Sequence, residues 1–242
     1  MKKSIFALIL IFLSVSIAAE NTILNRVFFL DFQYVGQAIG VDPVKTGLLV
    51  GAFGLTTYAL MKNDLWFSQT IRSIQNDFND TFFNVLTNAG DPVYVLPADA
   101  LLFFVGGEKE KKTAIKVVEG LAVSGLISYV GKVVFGRHRP SRTDNPGAFN
   151  WFNFANNSYP SGHTTVAFTW ATIIGDAYNI GWITYPIATL TGIARVYNKE
   201  HWLSDALFGA CIGVITGKIV NYEGPDLKIS ALPGGLEASY QF

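Results

Sequence analysis

Residues 113–135 read TAIKVVEGLAVSGLISYVGKVVF, and the only charges in the stretch are Lys116, Glu119 and Lys132. The run is far longer than a strand and is enough for roughly six turns of helix at 3.6 residues per turn. Similar segments lie on both sides. Thr46 to Met61 (TGLLVGAFGLTTYALM) is apolar and uncharged, bounded by Asp42-Pro43 and Lys62-Asn63-Asp64. Pro92 to Val105 is a second apolar helix, closed by Gly106-Gly107, and the charged run Glu108 to Lys112 reads as a solvated turn. Between them, Leu65 to Leu86 places Trp66, Ile71, Ile74, Phe78, Phe82 and Leu86 at steps of three to five residues, the pattern of an amphipathic helix. Downstream, Ser161 to Tyr178, Ile183 to Tyr197 and Leu203 to Val220 complete the helices. Gly209, Gly213 and Gly217 stand four apart on the last, so one face lacks bulk and a neighbouring helix can approach closely. The expected fold is all-α, with about six core helices plus the amphipathic one. Alternating segments at Lys228 to Leu232 and Leu236 to Phe242, around Pro233-Gly234-Gly235, predict a small C-terminal β-hairpin.

Composition agrees with a chain that hides little behind charge. Of 242 residues, 50% are hydrophobic and 15% charged, with 18 basic against 18 acidic side chains. Mean hydropathy is +0.32. Many helix faces must therefore meet protein or lipid, and the uncharged runs, shorter than the roughly 20 residues of a span, leave the number of crossings open. Balanced charge without Lys/Arg clusters excludes a nucleic-acid footprint. The single cysteine, Cys211, excludes an intrachain disulfide and a multi-cysteine metal site. At the N-terminus, Lys2-Lys3, the apolar run Ile5 to Leu13 and Ser16-Ile17-Ala18-Ala19 read as a bacterial secretory signal over residues 1–19. On that reading residues 20–223 form one helical domain in the cell envelope, facing the periplasm, and 224–242 a tail.

Polar chemistry gathers in three places, each at the end of an expected helix. Lys132 and Arg139 close the long helix and open the loop Gly136 to Pro160, so a compact ammonium and a planar guanidinium can converge on one anion. Pro160-Ser161-Gly162-His163 opens the next helix. Ser161 is a natural N-cap, Gly162 allows close approach of backbone to a ligand, and the unpaired N–H groups of the first turn suit a phosphate. Arg195 closes a later helix, and His201 and Asp205 stand four apart where the last helix begins, so the carboxylate can fix the imidazole tautomer. His138 reads as a loop residue beside a basic pair. Phe149, Trp151, Phe152 and Phe154 read as lining the substrate access.

These stretches, Lys132-x6-Arg139-Pro140, Pro160-Ser161-Gly162-His163 and Arg195-x5-His201-x3-Asp205, resemble the signature of the type 2 phosphatidic acid phosphatase (PAP2) superfamily, K-x6-R-P, P-S-G-H and S-R-x5-H-x3-D. The resemblance covers residues 132 to 205 and extends to bacterial class A acid phosphatases and vanadium haloperoxidases. One position departs: Ala194 stands where the pattern has serine. The resemblance implies a PAP2-type bundle in which His201 attacks phosphorus, Asp205 orients it, and His163 protonates the leaving oxygen and then activates water. It implies that Lys132, Arg139, Arg195, Ser161 and the backbone at Gly162 hold the phosphoryl oxygens. No carboxylate cage for a metal is present in the sequence, and no cofactor is expected. The expected activity is a metal-independent phosphatase acting on phosphomonoesters or diphosphates of lipids, such as phosphatidate, phosphatidylglycerophosphate or an isoprenoid diphosphate, through a phosphohistidine. The competing readings are a vanadium-dependent haloperoxidase and a non-catalytic envelope protein that binds anionic headgroups.

Overall fold

The computed structural model describes residues 43–155 and 157–221, over 43–57 as backbone only, together with the backbone of 226–232 and 235–241. The expected leader over residues 1–19 lies outside the described residues. Seven α-helices follow in order: α1 (Pro43–Arg72), α2 (Asp77–Leu86), α3 (Pro92–Val105), α4 (Glu108–Phe135), α5 (Gly162–Tyr178), α6 (Gly181–Tyr197) and α7 (Leu203–Asn221). A 3-10 turn, Thr87–Gly90, joins α2 to α3. At the C-terminus β1 (Asp226–Leu232) and β2 (Gly235–Gln241) pair antiparallel, Asp226 opposite Gln241 and Leu232 opposite Gly235.

Two boundaries differ from those read in the sequence, for local reasons. Lys62-Asn63-Asp64 does not end a helix: α1 runs through it to Arg72, because Asp64 is fully buried and its charge is met from inside the protein. The amphipathic pattern is consequently split. Its first part belongs to α1, and Asn76 then caps α2 by accepting the Asn79 N–H at 2.9 Å. Glu108 to Lys112 is likewise no turn but the opening of α4. Glu108 and Glu110 sit in its first turn, where carboxylates favour the helix dipole, and Glu110 accepts the Gly107 N–H at 3.0 Å.

Helix α5 is central, packed against α4, α6 and α7. The glycine stripe of α7 does what its spacing predicts. A Cβ on Gly209 would lie 2.5 Å from the Ser161 carbonyl oxygen, one on Gly213 2.6 Å from that of Thr165, and one on Gly217 2.6 Å from Thr172 Cβ. Backbones this close leave room only for small residues, and the facing side chains are buried hydroxyls. Thr169 bridges Ser124 at 3.0 Å and back-bonds to the Thr165 carbonyl at 2.8 Å, while Ser128 meets Thr165 at 3.1 Å. These hydroxyl bonds tie α5 to α4, while the glycine stripe locks α5 against α7, so that the starts of α5 and α7, where the histidines lie, are held together.

Large apolar side chains are exposed on several helices. Leu101 and Phe104 on α3, Leu126 and Val130 on α4, and Ile215 on α7 are exposed. Among the described residues two helices, α4 and α7, are long and apolar enough to cross a membrane.

Candidate active site

The ends of α4 and α6 and the starts of α5 and α7 meet at one end of the bundle, which brings the three sequence stretches together. Lys132, in the last turn of α4, donates to the carbonyls of Asn157 (2.6 Å) and Pro160 (2.8 Å). The Ser161 N–H donates to the Asp205 carbonyl at 3.0 Å, tying α5 to α7. Ser161 occupies the N-cap position, but its hydroxyl is not used as expected. It accepts from Thr164 Oγ1 at 2.9 Å and caps no backbone N–H, which leaves the first-turn donors of α5 to another acceptor.

His163, in that first turn, keeps partial solvent access, with Nε2 3.8 Å from Asp91 Oδ2. Asp91 also caps α3 through the Val93 N–H at 2.9 Å. Gly90 brings the 3-10 turn hard against the His163 backbone, where a Cβ would sit 2.3 Å from its carbonyl oxygen. The same turn supplies Thr87, whose hydroxyl receives Arg195 Nη1 at 2.9 Å. This wall was not legible beforehand, because it comes from a segment without an apolar period more than 100 residues from Arg195 in the chain. Ala194, at the family's serine position, is fully buried against Phe83 and Tyr197. A hydroxyl there would enter an apolar cluster.

Arg139 and Arg195 share one counter-ion. Arg139 Nη1 pairs with Glu200 Oε2, and Arg195 Nη2 lies 3.5 Å from the same oxygen. Arg139 Nε also donates to Asn157 Oδ1 at 3.0 Å. A polar groove of about 530 Å³ opens beside Arg195 and Glu200, with Asn84, Asn198 and Lys199 in its walls.

His201 precedes α7 and is buried. Its Nδ1 stands 3.7 Å from Asp205 Oδ2, within ion-pair range but beyond a hydrogen bond, and has no hydrogen-bond partner of its own. The direct bond expected from the four-residue spacing is thus not closed. Asp205 is occupied elsewhere: Oδ2 accepts from the Trp202 N–H (2.9 Å) and Ser158 Oγ (2.5 Å), and Oδ1 pairs with Arg137. Arg137 was missed as a site residue. It is completely buried and donates also to Ser204 Oγ (2.8 Å), Asp64 Oδ2 (2.8 Å) and the Pro146 carbonyl, from Nε at 2.9 Å and Nη2 at 2.7 Å. His138 contributes its carbonyl, which accepts Trp202 Nε1 at 2.9 Å. Phe152 and Phe154 stay exposed on the loop, while Phe149 stacks on Trp151 with centroids 5.8 Å apart.

Burial decides the protonation of both imidazoles. His201 is pushed down to about 3, chiefly by desolvation, with the Asp205 carboxylate opposing the shift and Lys132 and Arg195 adding to it. His163 is pushed down to about 4 by desolvation and then by Arg195, Lys132 and Arg139. Both are neutral near pH 7. Because an unfolded histidine titrates near 6.5, unfolding takes up a proton at each below that pH, so their contribution to stability is full above pH 6.5 and is lost as pH falls towards 4 and 3. Wild type is therefore expected to lose stability relative to His201→Gln between pH 7 and 5, by up to about tenfold in the unfolding constant per pH unit below 6.5. Paired melting curves across that range check it, and parallel curves contradict it.

Residues 113–226 match the model of the PAP2 superfamily. The chain is 40% identical over 105 residues to a lipid A 1-phosphatase of Porphyromonas gingivalis, across 41% of this chain and 21% of that protein. It is 31% identical to the putative undecaprenyl-diphosphatase YbjG of Escherichia coli, across 52% of this chain and 65% of that protein. The chain therefore spans only part of the length of these curated relatives. Among solved structures, the crystal structure of Aquifex aeolicus LpxE superposes with a TM-score of 0.54 and 28% identity, covering 64% of this chain and 93% of that one. Motifs, bundle and relatives agree: over residues 113–226, just under half of its length, the chain is similar to the PAP2 superfamily.

Proposed function

We propose that the protein is a membrane-associated phosphatase acting on lipid phosphates, monoesters or diphosphates, through a phosphohistidine on His201. The observation that carries the reading is the convergence of Lys132, Arg139 and Arg195 with a neutral buried His201 and a partly open His163 at one end of the bundle. A transferring phosphoryl group spreads charge over three oxygens, and fixed cations with the free N–H donors of α5 match that need. The charge stabilisation is assigned to these cations. Relatives named for lipid A and undecaprenyl diphosphate support a lipid substrate.

In the first step Nε2 of His201 attacks phosphorus, the bond from phosphorus to the leaving oxygen breaks, and His163 gives that oxygen its proton. In the second, neutral His163 takes a proton from water, the water oxygen bonds phosphorus, and the P–N bond breaks to release phosphate and restore His201. His163 is neutral in the empty pocket, so its acidic proton arrives with the substrate. A phosphate among the three cations offsets their charge and raises the imidazole's affinity for that proton. The same proposal takes residues 1–19 as a secretory leader, 20–223 as the helical domain, and the site as facing the periplasm.

Phosphate release by purified protein in EDTA from phosphatidate, a glycolipid phosphate, an isoprenoid diphosphate and a soluble aryl phosphate tests the reading. Release from lipids is expected; halide oxidation dependent on added vanadate, with no phosphate release, overturns it. Glu200 offers a separate check. Its carboxylate sits on Arg139 and Arg195 where a phosphoryl oxygen would bind, and a ligand must displace it. Glu200→Gln is expected to tighten inhibition by orthovanadate about tenfold, the equivalent of about 1.4 kcal/mol. Inhibition curves for the two proteins decide it, and equal or weaker inhibition contradicts it.

A further inference from the structure

Asp64 lies on α1, well before the stretch that matches the family, yet it faces the same guanidinium as the carboxylate that orients His201. Every N–H of Arg137 is used: two reach the Pro146 carbonyl, one Ser204 Oγ, one Asp205 Oδ1 and one Asp64 Oδ2. Asp64 is equally committed, taking the Ser204 N–H on Oδ1 at 2.9 Å and the Ser204 hydroxyl on Oδ2 at 2.5 Å. Asp64, Ser204 and Asp205 are fully buried, as is Arg137, which is flanked by the rings of Phe149 and Trp202 at 5.3 and 5.6 Å. A surface ion pair would carry little meaning, but a fully buried network aimed at one carboxylate is different.

We propose that Asp64 and Arg137 are positioning residues for the reaction: they set the place and charge of the Asp205 carboxylate, and through it the tautomer and aim of His201. The inference rests on the phosphohistidine reading above. Two physical consequences support it. Arg137 alone against Asp205 would neutralise the carboxylate that must stabilise an imidazolium as His201 bonds phosphorus. Asp64 shares that guanidinium, so Asp205 keeps the charge His201 needs. Asp205 is also restrained from four sides, by Arg137, Ser158, the Trp202 N–H and its place in α7, so the 3.7 Å gap to His201 Nδ1 is set by the network rather than by free rotation of the carboxylate. The first described helix is thereby part of the catalytic apparatus, outside the three motifs.

The test is a double-mutant cycle on the full-length protein, read per active site. Asp64→Asn is expected to lower kcat about a hundredfold, the cost of a misplaced reacting group, with KM changed less than about threefold. Asp64→Glu, which keeps the charge, is expected to recover part of the loss. In an Asp205→Asn background, Asp64→Asn is expected to have almost no further effect, because its path to His201 is already cut. A merely structural role would lower the number of sites that can be phosphorylated and leave kcat per site unchanged in both backgrounds. That result, or additive losses in the cycle, overturns the proposal. Should Asp64→Asn fail to fold, Ser204→Ala, which removes the hydroxyl linking Arg137 to Asp64, is expected to give the same non-additive pattern. The 15N shifts of the His201 ring, recorded without substrate, are expected to move in Asp64→Asn, and unmoved shifts overturn the proposal independently of turnover. Absence of phosphate release by the wild type defeats the phosphatase reading instead.

Discussion

His201→Ala is expected to reduce phosphate release by at least about ten-thousandfold while leaving the bundle folded. Removing a covalent nucleophile takes away the whole two-step path, and what remains is the catalysis supplied by the anion site alone, as when one member of a catalytic triad is deleted. The geometry makes the loss specific. His201 is buried just before α7, neutral, with its Nδ1 3.7 Å from Asp205, so no other described imidazole can take over its position. His163 lies beside Asp91 and is assigned proton transfer. Substrate binding should persist in the variant, since Lys132, Arg139 and Arg195 are untouched. Initial rates and a vanadate-binding measurement on the same preparation check both halves. Retained turnover in His201→Ala would remove the nucleophile assignment.

The second large effect falls on stability. Arg137→Met is expected to destabilise the protein by about 3–5 kcal/mol, the range for breaking a buried ion network by removing one partner. Methionine fills much of the space but leaves Asp64 and Asp205 as buried carboxylates without their shared cation, and the Pro146 carbonyl without its donors. Arg137→Lys does not repair it, because one ammonium has three donors and no fork to span both carboxylates. Denaturant or thermal unfolding in the same detergent measures the difference, and a variant as stable as wild type contradicts the network's role.

Helices and motifs were legible because both depend on short-range order. The apolar runs gave α3 and α5 to α7 nearly as they stand, the glycine stripe of α7 gave its contact with α5, and four-residue spacing brought His201 and Asp205 to neighbouring positions. What was not legible depends on partners far apart in sequence. Lys62-Asn63-Asp64 reads as a helix boundary until Arg137, 73 residues on, is seen to hold Asp64 inside the protein. Thr87 and Asp91 belong to a short turn with no periodicity, and nothing in their spacing points to Arg195 or His163. Arg137 is adjacent to a motif but not in it. Its signal was a charge directly before His138 and Arg139 in an otherwise charge-poor chain, which reads equally well as a solvated loop residue. The same limit applies to His201 and Asp205. Spacing predicted their proximity, but that Asp205 is already engaged by Ser158, Trp202 and Arg137 follows only from tertiary structure.

The mechanism stands or falls on where phosphate is bound between the two steps. Rapid mixing of the full-length protein with a 32P-labelled lipid phosphate, quenched in alkaline denaturant and digested, locates it most directly. Label is expected on the peptide that contains His201, stable to alkali, lost in acid, and absent from His201→Ala. Label on any other residue, or turnover that proceeds at the wild-type rate with His201 removed, would contradict it.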